Sequence, residues 1–257
     1  MAEITPSIHS IPTAVWEDLN ARFPDLMLLG AHARDHVLHT RARLPIPRAT
    51  TDLDIAIGVD SPSTYRTRTR ELTKLGDTGT SFLIAHHRVD IIPFGGLTPG
   101  EHGYLELEPG VFTDVTGLQE AYENAEILAL DGFEVRTPTL EALVVLKTIA
   151  WMMRGPTTDK DATDLVELLK ATAEGDYEPR IWTATASGLL DRFLPDEIGA
   201  YLTGKEVAAI FGTSAQERCL DAWDGQHTPK LVAAGDEWSQ SFEERLKALA
   251  SGVREHV

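Results

Sequence analysis

Only one of the 257 residues is a cysteine, Cys219, which excludes an internal disulfide and any cysteine-rich zinc site. Long apolar runs are missing as well. The longest strongly apolar stretch, residues 142–146, is far short of the ~20 residues that span a bilayer. The opening Met1-Ala-Glu-Ile-Thr-Pro has neither the basic start nor the apolar segment of a secretory signal. A cytoplasmic protein with no membrane association is therefore expected. No internal repeat or low-complexity run is present. Positive charge is scarce: 23 Lys and Arg stand against 40 Asp and Glu, a net of −17. That balance excludes a broad, nonspecific nucleic-acid binder. The deficit is uneven, however. Residues 22–88 carry ten basic and seven acidic side chains, whereas residues 91–135 carry nine acidic and no basic ones.

The remaining pattern is that of a folded globule, with 42% hydrophobic residues. It divides near Thr137. Before that point short β-type runs alternate with helical patches. Helix is expected over 11–23, strand over 26–29 ending at Gly30-Ala31, and helix to about Thr40. A strand is expected over 51–58, a helix over 61–75, and paired strands over 81–85 and 89–93 around His86-His87-Arg88. This alternation predicts a mixed α/β (α+β) sheet. After Thr137 nearly everything reads as helix. Thr137 is the expected N-cap of a helix running to Arg154 and Gly155-Pro156, and a second helix covers 159–172. Capping boxes at Thr203-Gly-Lys-Glu206 and Ser241-Phe-Glu-Glu244 predict two further helix starts.

Asp52 and Asp54 sit two apart on a predicted strand, so they share a face, about 7 Å apart at the backbone. Two carboxylates so close repel unless a cation lies between them. Mg²⁺ suits them, because it takes a few carboxylates and leaves room for water and phosphates. Asp90, in Arg88-Val-Asp-Ile-Ile, supplies a third acid if its strand is a neighbour, and three carboxylates can serve phosphoryl or nucleotidyl transfer. The competing reading of Asp-x-Asp is a solvated strand edge. Against it stand the apolar flanks Leu53, Ile55, Ala56 and Ile57. Gly30, at a strand-to-helix turn, lets a phosphate approach the backbone, although such turns often only reverse the chain.

On a helical wheel Lys147 lies within about 40° of Leu140, Leu143, Trp151 and Arg154. It must snorkel, pair, or face a site that wants a cation. Arg154 is on the same face, about 10 Å further along. Asp161 and Asp164 are favoured near a helix N-terminus by the macrodipole, and an ion pair with Lys147 or Arg154 is equally consistent. His32, His36 and His39 have helical spacing but no evident further ligand, so packing or exposed roles are expected. Arg66-Thr-Arg-Thr-Arg70 reads as a solvated face or as a track for an RNA backbone. Residues 204–223 read as a packed helical hairpin more readily than as a helix-turn-helix.

The succession Leu29-Gly-Ala-His-Ala-Arg-Asp35, Arg48-Ala-Thr-Thr-Asp-Leu-Asp-Ile-Ala-Ile57, Arg88-Val-Asp-Ile-Ile-Pro-Phe-Gly-Gly96 and Lys147…Arg154…Lys160-Asp-Ala-Thr-Asp164 resembles the AbiEii/AbiGii toxin family, of the polymerase-β-type nucleotidyltransferase superfamily. The resemblance spans about residues 26–170. It implies a nucleotidyltransferase-fold mixed sheet with flanking helices over 1–136 and a helical domain over 137–257. It further implies Mg²⁺ or Mn²⁺ on Asp52, Asp54 and Asp90, with Asp90 helping to deprotonate the attacking hydroxyl. Lys147 would contact the nucleotide phosphates, and Asp161 would be the acid of the Lys-Asp-x-x-Asp motif. Gly30, Ala31, Arg34 and Arg154 would border the nucleoside triphosphate, although Ala31 stands where the superfamily usually has glycine or serine. The implied reaction moves an NMP from an NTP to an acceptor, an RNA such as the 3′ end of tRNA, in a toxin paired with a separate antitoxin. Alternatives are transfer to a small hydroxylated molecule such as an antibiotic, and a non-catalytic nucleotide- or partner-binding relative.

Overall fold

The computed structural model describes residues 10–46, 50–96, 103–130, 132–155, 157–184, 188–235 and 239–256. Arg48 and Ala49 of the Asp-x-Asp motif and Pro156 of the Gly155-Pro156 stop lie outside them. The chain forms two compact units, Met1–His36 with Arg48–Pro138, and Val37–Pro47 with Thr139–Val257.

The first unit is built on a mixed sheet of seven strands among the described residues, in the order β3-β4-β5-β2-β1-β9-β8. Helix α1 (Thr13–Arg22) precedes β1 (Met27–Leu28), and α2 (Gly30–Asp35) runs on as a π-helix, His36–Arg41. Strand β2 (Leu53–Val59) lies antiparallel to β1 and parallel to β5 (His87–Gly95). Its alternate residues Leu53, Ile55 and Ile57 are buried, as the β-branched alternation requires. Helix α3 (Pro62–Thr69) is capped by Ser61, whose hydroxyl accepts from the Thr64 amide at 3.1 Å. It stops well before residue 75, because the chain turns into β3 (Thr73–Lys74), which pairs with β4 (Ser81–Ile84). The β4–β5 turn falls at Ala85-His86, both at positive φ, so His87 and Arg88 belong to the strand.

The acidic stretch holds elements that its sequence did not separate. These are the ribbon β6 (Tyr104–Glu108) and β7 (Val111–Asp114), helix α4 (Leu118–Glu123), and the hairpin β8 (Glu126–Leu130) and β9 (Phe133–Thr137). Thr137 therefore ends a strand. The N-cap of α5 (Leu140–Arg154) is Thr139, whose hydroxyl accepts from the Ala142 amide at 3.3 Å.

The second unit is helical, with α5, α6 (Lys160–Ala171), α7 (Glu178–Ala184), α8 (Pro195–Ile210), α9 (Thr213–Asp224), α10 (Thr228–Gly235) and α11 (Ser239–Arg254). Neither expected capping box starts a helix. Thr203 is inside α8, its hydroxyl returned to the Gly199 carbonyl at 3.0 Å, and Ser241 is inside α11. The earlier start of α8 is fixed by Pro195 and by Glu197, whose carboxylate accepts the Leu194 amide at 2.8 Å. α8 and α11 meet backbone to backbone. A Cβ on Gly204 would stand 2.0 Å from the Leu249 carbonyl oxygen, and one on Gly252 would stand 2.0 Å from that of Tyr201. α8 and α9 are joined by a two-residue turn, and both pack on α11. Trp223 of α9 is buried and donates to the Thr148 hydroxyl at 2.9 Å. That is core packing.

Candidate active site

The parallel pairing of β2 with β5 sets Asp54 beside Asp90 in direct register, with Leu53 beside Val89 and Ile55 beside Ile91 on the opposite face. The apolar pairs are buried and the two aspartates half-buried. One face of this strand pair thus anchors the core while the other presents carboxylates. Asp52 precedes β2 by one residue, and 47% of its side chain is exposed. Arg88, two residues before Asp90 on β5, approaches Asp90 at 3.3 Å and Asp52 at 4.0 Å. Its hydrogen bond to Asp90 and the negative charges of Asp90, Asp52 and Asp54 drive the guanidinium further toward its charged form. Ser81, opposite Asp90 on β4, donates its hydroxyl to the same carboxylate.

Gly30 explains the turn before α2. The Leu29 amide donates to the Asp54 carbonyl at 2.8 Å, and the chain then leaves β1 with Gly30 at φ +60°. A Cβ there would fall 1.8 Å from Asp54 Oδ2. The glycine is therefore required twice, for its backbone angle and for the acid pressed against it. The close approach in this structure is to a carboxylate of the site itself.

The residues that follow Gly30 in this turn are buried. Ala31 is buried, and Arg34 is fully buried with its guanidinium on Asp35 at 2.8 Å. His32 is buried too. Burial pushes its pKa down to about 4, with Asp35 opposing and His87 and Arg34 adding to the shift, so it is neutral at pH 7.

In the second unit Lys147 Nζ lies 3.1 Å from Asp161 Oδ1 and 2.7 Å from Asp164 Oδ2, while Arg154 reaches Asp161 Oδ2 at 2.8 Å. Two cations meet two anions. Lys147, Asp161 and Asp164 are buried, and only Arg154 is well exposed, at 59% of its side chain. The apolar neighbours that drew attention to Lys147 are the core around this network. A second charged cluster has no signal in the sequence: Arg180 bridges the buried Glu141 and the half-exposed Glu206, each at 3.1 Å, and bonds the Thr203 hydroxyl at 2.7 Å. Burial, with the hydrogen bond and charge of Glu141, pushes Glu206 up to about 7. Glu141 resists its own burial and is held below the usual range by Glu206 and Arg180. Arg180 lies 39 residues from Glu141, beyond the reach of any local pattern.

Among the described residues no three His, Cys, Asp or Glu side chains already converge as a metal cage, His32, His36 and His39 included. Among the described residues Arg88 is a cation at the first unit's acids. The donors Asp52, Asp54 and Asp90 are nonetheless hard oxygen ligands on one face, the chemistry that Mg²⁺ and Mn²⁺ prefer. Arg88 is half exposed. The residues fit such an ion.

The mixed sheet carries Asp54 and Asp90 on neighbouring strands, with Asp52 just before β2. The family model described as nucleotidyl transferase AbiEii toxin, type IV toxin–antitoxin system, matches residues 37–198. The match covers more than half of the chain and takes in Asp52, Asp54, Asp90, Lys147, Arg154, Asp161 and Asp164. The protein belongs to the AbiEii nucleotidyl transferase toxin family. Searches among curated proteins and among solved structures find no match. No helix among the described residues is long and apolar enough to cross a membrane.

Proposed function

We propose that this protein transfers a nucleoside monophosphate from a nucleoside triphosphate to a hydroxyl of an RNA, the 3′ end of tRNA, as the toxin of a pair with a separate antitoxin. The observation that carries the chemistry is the register of Asp54 beside Asp90, with Asp52 and Arg88 alongside. Mg²⁺ or Mn²⁺ held by Asp52, Asp54 and Asp90 supplies the positive charge that offsets the triphosphate. Asp90, steadied by Ser81, takes the proton of the attacking hydroxyl. The new bond joins the acceptor oxygen to the α-phosphorus, and the bond to the bridging oxygen breaks, releasing pyrophosphate. Gly30 leaves the Asp54 carboxylate room to lie against the turn, where any Cβ would collide with it. Arg88, once displaced from the acids, is a guanidinium placed to meet the triphosphate. In the second unit Arg154 has the exposed surface to meet phosphate, and Lys147 holds Asp161 and Asp164 in place.

Labelled nucleoside triphosphates, offered singly with total RNA and with aminoglycosides, test the reading. Incorporation into tRNA by the wild type and none by Asp52→Ala, with an unchanged circular dichroism spectrum, is expected. Retained activity in that variant overturns the role of the acids. Labelling of the aminoglycoside alone overturns the acceptor.

A further inference from the structure

Basic side chains are few in this chain, yet three of them meet around one hollow of about 230 Å³. Arg66 of α3, Arg70 just beyond it and Lys74 of β3 line it together with Tyr65, Leu107 and Glu108. The helical period separates the basic run. Arg68 turns to the other side, where its guanidinium donates to the Gly58 carbonyl at 3.0 Å and lies over the Phe23 ring at 5.3 Å. It is structural. Arg66 and Arg70, four residues apart, share the face toward the hollow.

The charges around the hollow do not cancel. Lys74 is 2.7 Å from Glu108. That hydrogen bond, the Lys74 charge and the Arg66 charge hold the Glu108 carboxyl below its ordinary range. Arg70 approaches Glu71 only at 3.6 Å, on the exposed rim. Within the hollow three cations face one anion. Its wall is rigid, because the buried Tyr65 hydroxyl lies 2.9 Å from the carbonyl oxygens of both Gly79 and Ile91. Ile91 directly follows Asp90, so the hollow is fastened one residue from the third acid.

The volume is below the ~300 Å³ at which pockets begin to enclose a whole drug-sized ligand. It suits a phosphate and part of its sugar better than a triphosphate. Two guanidiniums and an ammonium around a concave wall match the oxygens of a phosphodiester. On a chain of net charge −17, such a local surplus marks where a polyanion can dock. We propose that this hollow is a subsite for one backbone phosphate of the acceptor RNA. The inference rests on the reading of RNA as acceptor and names where that RNA is gripped.

The test uses full-length protein and fluorescence anisotropy with bulk tRNA over a salt series. In Arg66→Gln/Arg70→Gln the slope of log K against log salt should shrink by about 0.7–0.9, the loss of one phosphate contact. Affinity should fall at least tenfold at low salt, while Glu108→Gln should bind more tightly than wild type. In nucleotide incorporation the double variant should show a raised KM for RNA and an unchanged KM for the triphosphate. Wild-type affinity and slope in the double variant overturn the proposal, as does a wild type that binds no RNA. Displacement of the RNA by polyglutamate of matched charge, with loss of polyglutamate binding in the double variant, assigns the hollow to an acidic protein and also overturns it. A wild type that binds RNA through the hollow yet labels only small acceptors keeps the hollow as an RNA phosphate subsite and overturns the reading of that RNA as the acceptor.

Discussion

Two clusters of opposite charges, one in each unit, follow opposite designs. Around Asp52, Asp54 and Asp90 the described residues place the Arg88 guanidinium, and the side chains of Asp52 and Arg88 are about half exposed. Around Lys147 two cations meet two aspartates, and three of the four side chains are buried. The balanced, buried set suits bracing, because each charge removed from water finds a partner. The open set is reached by solvent at Asp52 and Arg88, where an incoming cation or phosphate can approach it. A motif residue therefore has to be weighed with its partners before a role is given to it.

Mutations can break this contrast. The largest effect is expected on turnover from Asp54→Asn. Incorporation of labelled nucleotide should fall by about 10³-fold or more, since a charge clamp worth several kcal/mol is lost, with the melting temperature unchanged or slightly raised as repulsion is relieved. Lys147→Met should do the reverse in kind. Removing the ammonium takes away a buried partner of both Asp161 and Asp164 and should cost about 3–5 kcal/mol, read as a lower midpoint in urea. A large activity loss with wild-type stability would return Lys147 to a direct phosphate contact. Gly30→Ala sharpens the first half of the comparison. The left-handed backbone adds about 1–2 kcal/mol of strain, and the new methyl displaces the Asp54 carboxylate. Both the melting temperature and turnover should drop, and full activity would refute the Gly30–Asp54 contact.

The smallest effect belongs to the Glu141–Arg180–Glu206 cluster. Glu206 is pushed up to about 7, so the folded state holds its proton more tightly than the unfolded chain, whose glutamate titrates near 4.5. Its contribution to stability is complete below pH 4.5 and is lost as pH rises through 7. Glu206→Gln should thus leave the melting temperature unchanged at pH 4 and raise it modestly above pH 7. The half-exposed carboxylate is partly screened, which keeps the shift small. A parallel pH profile in the variant would refute the linkage.

The sequence made much of this legible where the physics is local. Alternation in Leu53-Asp-Ile-Ala-Ile-Gly-Val59 predicted β2, and Ser61-Pro62 predicted the start of α3. The apolar stripe of α5 and the amphipathic α6 were equally plain. The failures have a common cause. Thr137, Thr203 and Ser241 carry good capping chemistry, but strand pairing took Thr137, and longer helices absorbed the other two. Beyond Gly96 the acidic stretch that ends at residue 135 shows no separate elements in the sequence, because its strands are short and half exposed and are selected by strand pairing. Arg34 looked available beside its turn and is fully buried against Asp35.

The sequence alone determined the chemistry on offer: the spacing of Asp52 and Asp54, the apolar context of Asp90, the lysine in an apolar stripe and the locally basic segment. Side-chain period and charge need no partner to be read. Only the tertiary structure decided which charges are satisfied. It set Asp90 beside Asp54, pressed Gly30 onto that acid, closed Lys147 onto Asp161 and Asp164, and left Arg66, Arg70 and Lys74 around an open hollow. Those outcomes depend on strand register and helix packing between residues far apart in the chain, where a shift of one residue would turn each side chain to another face.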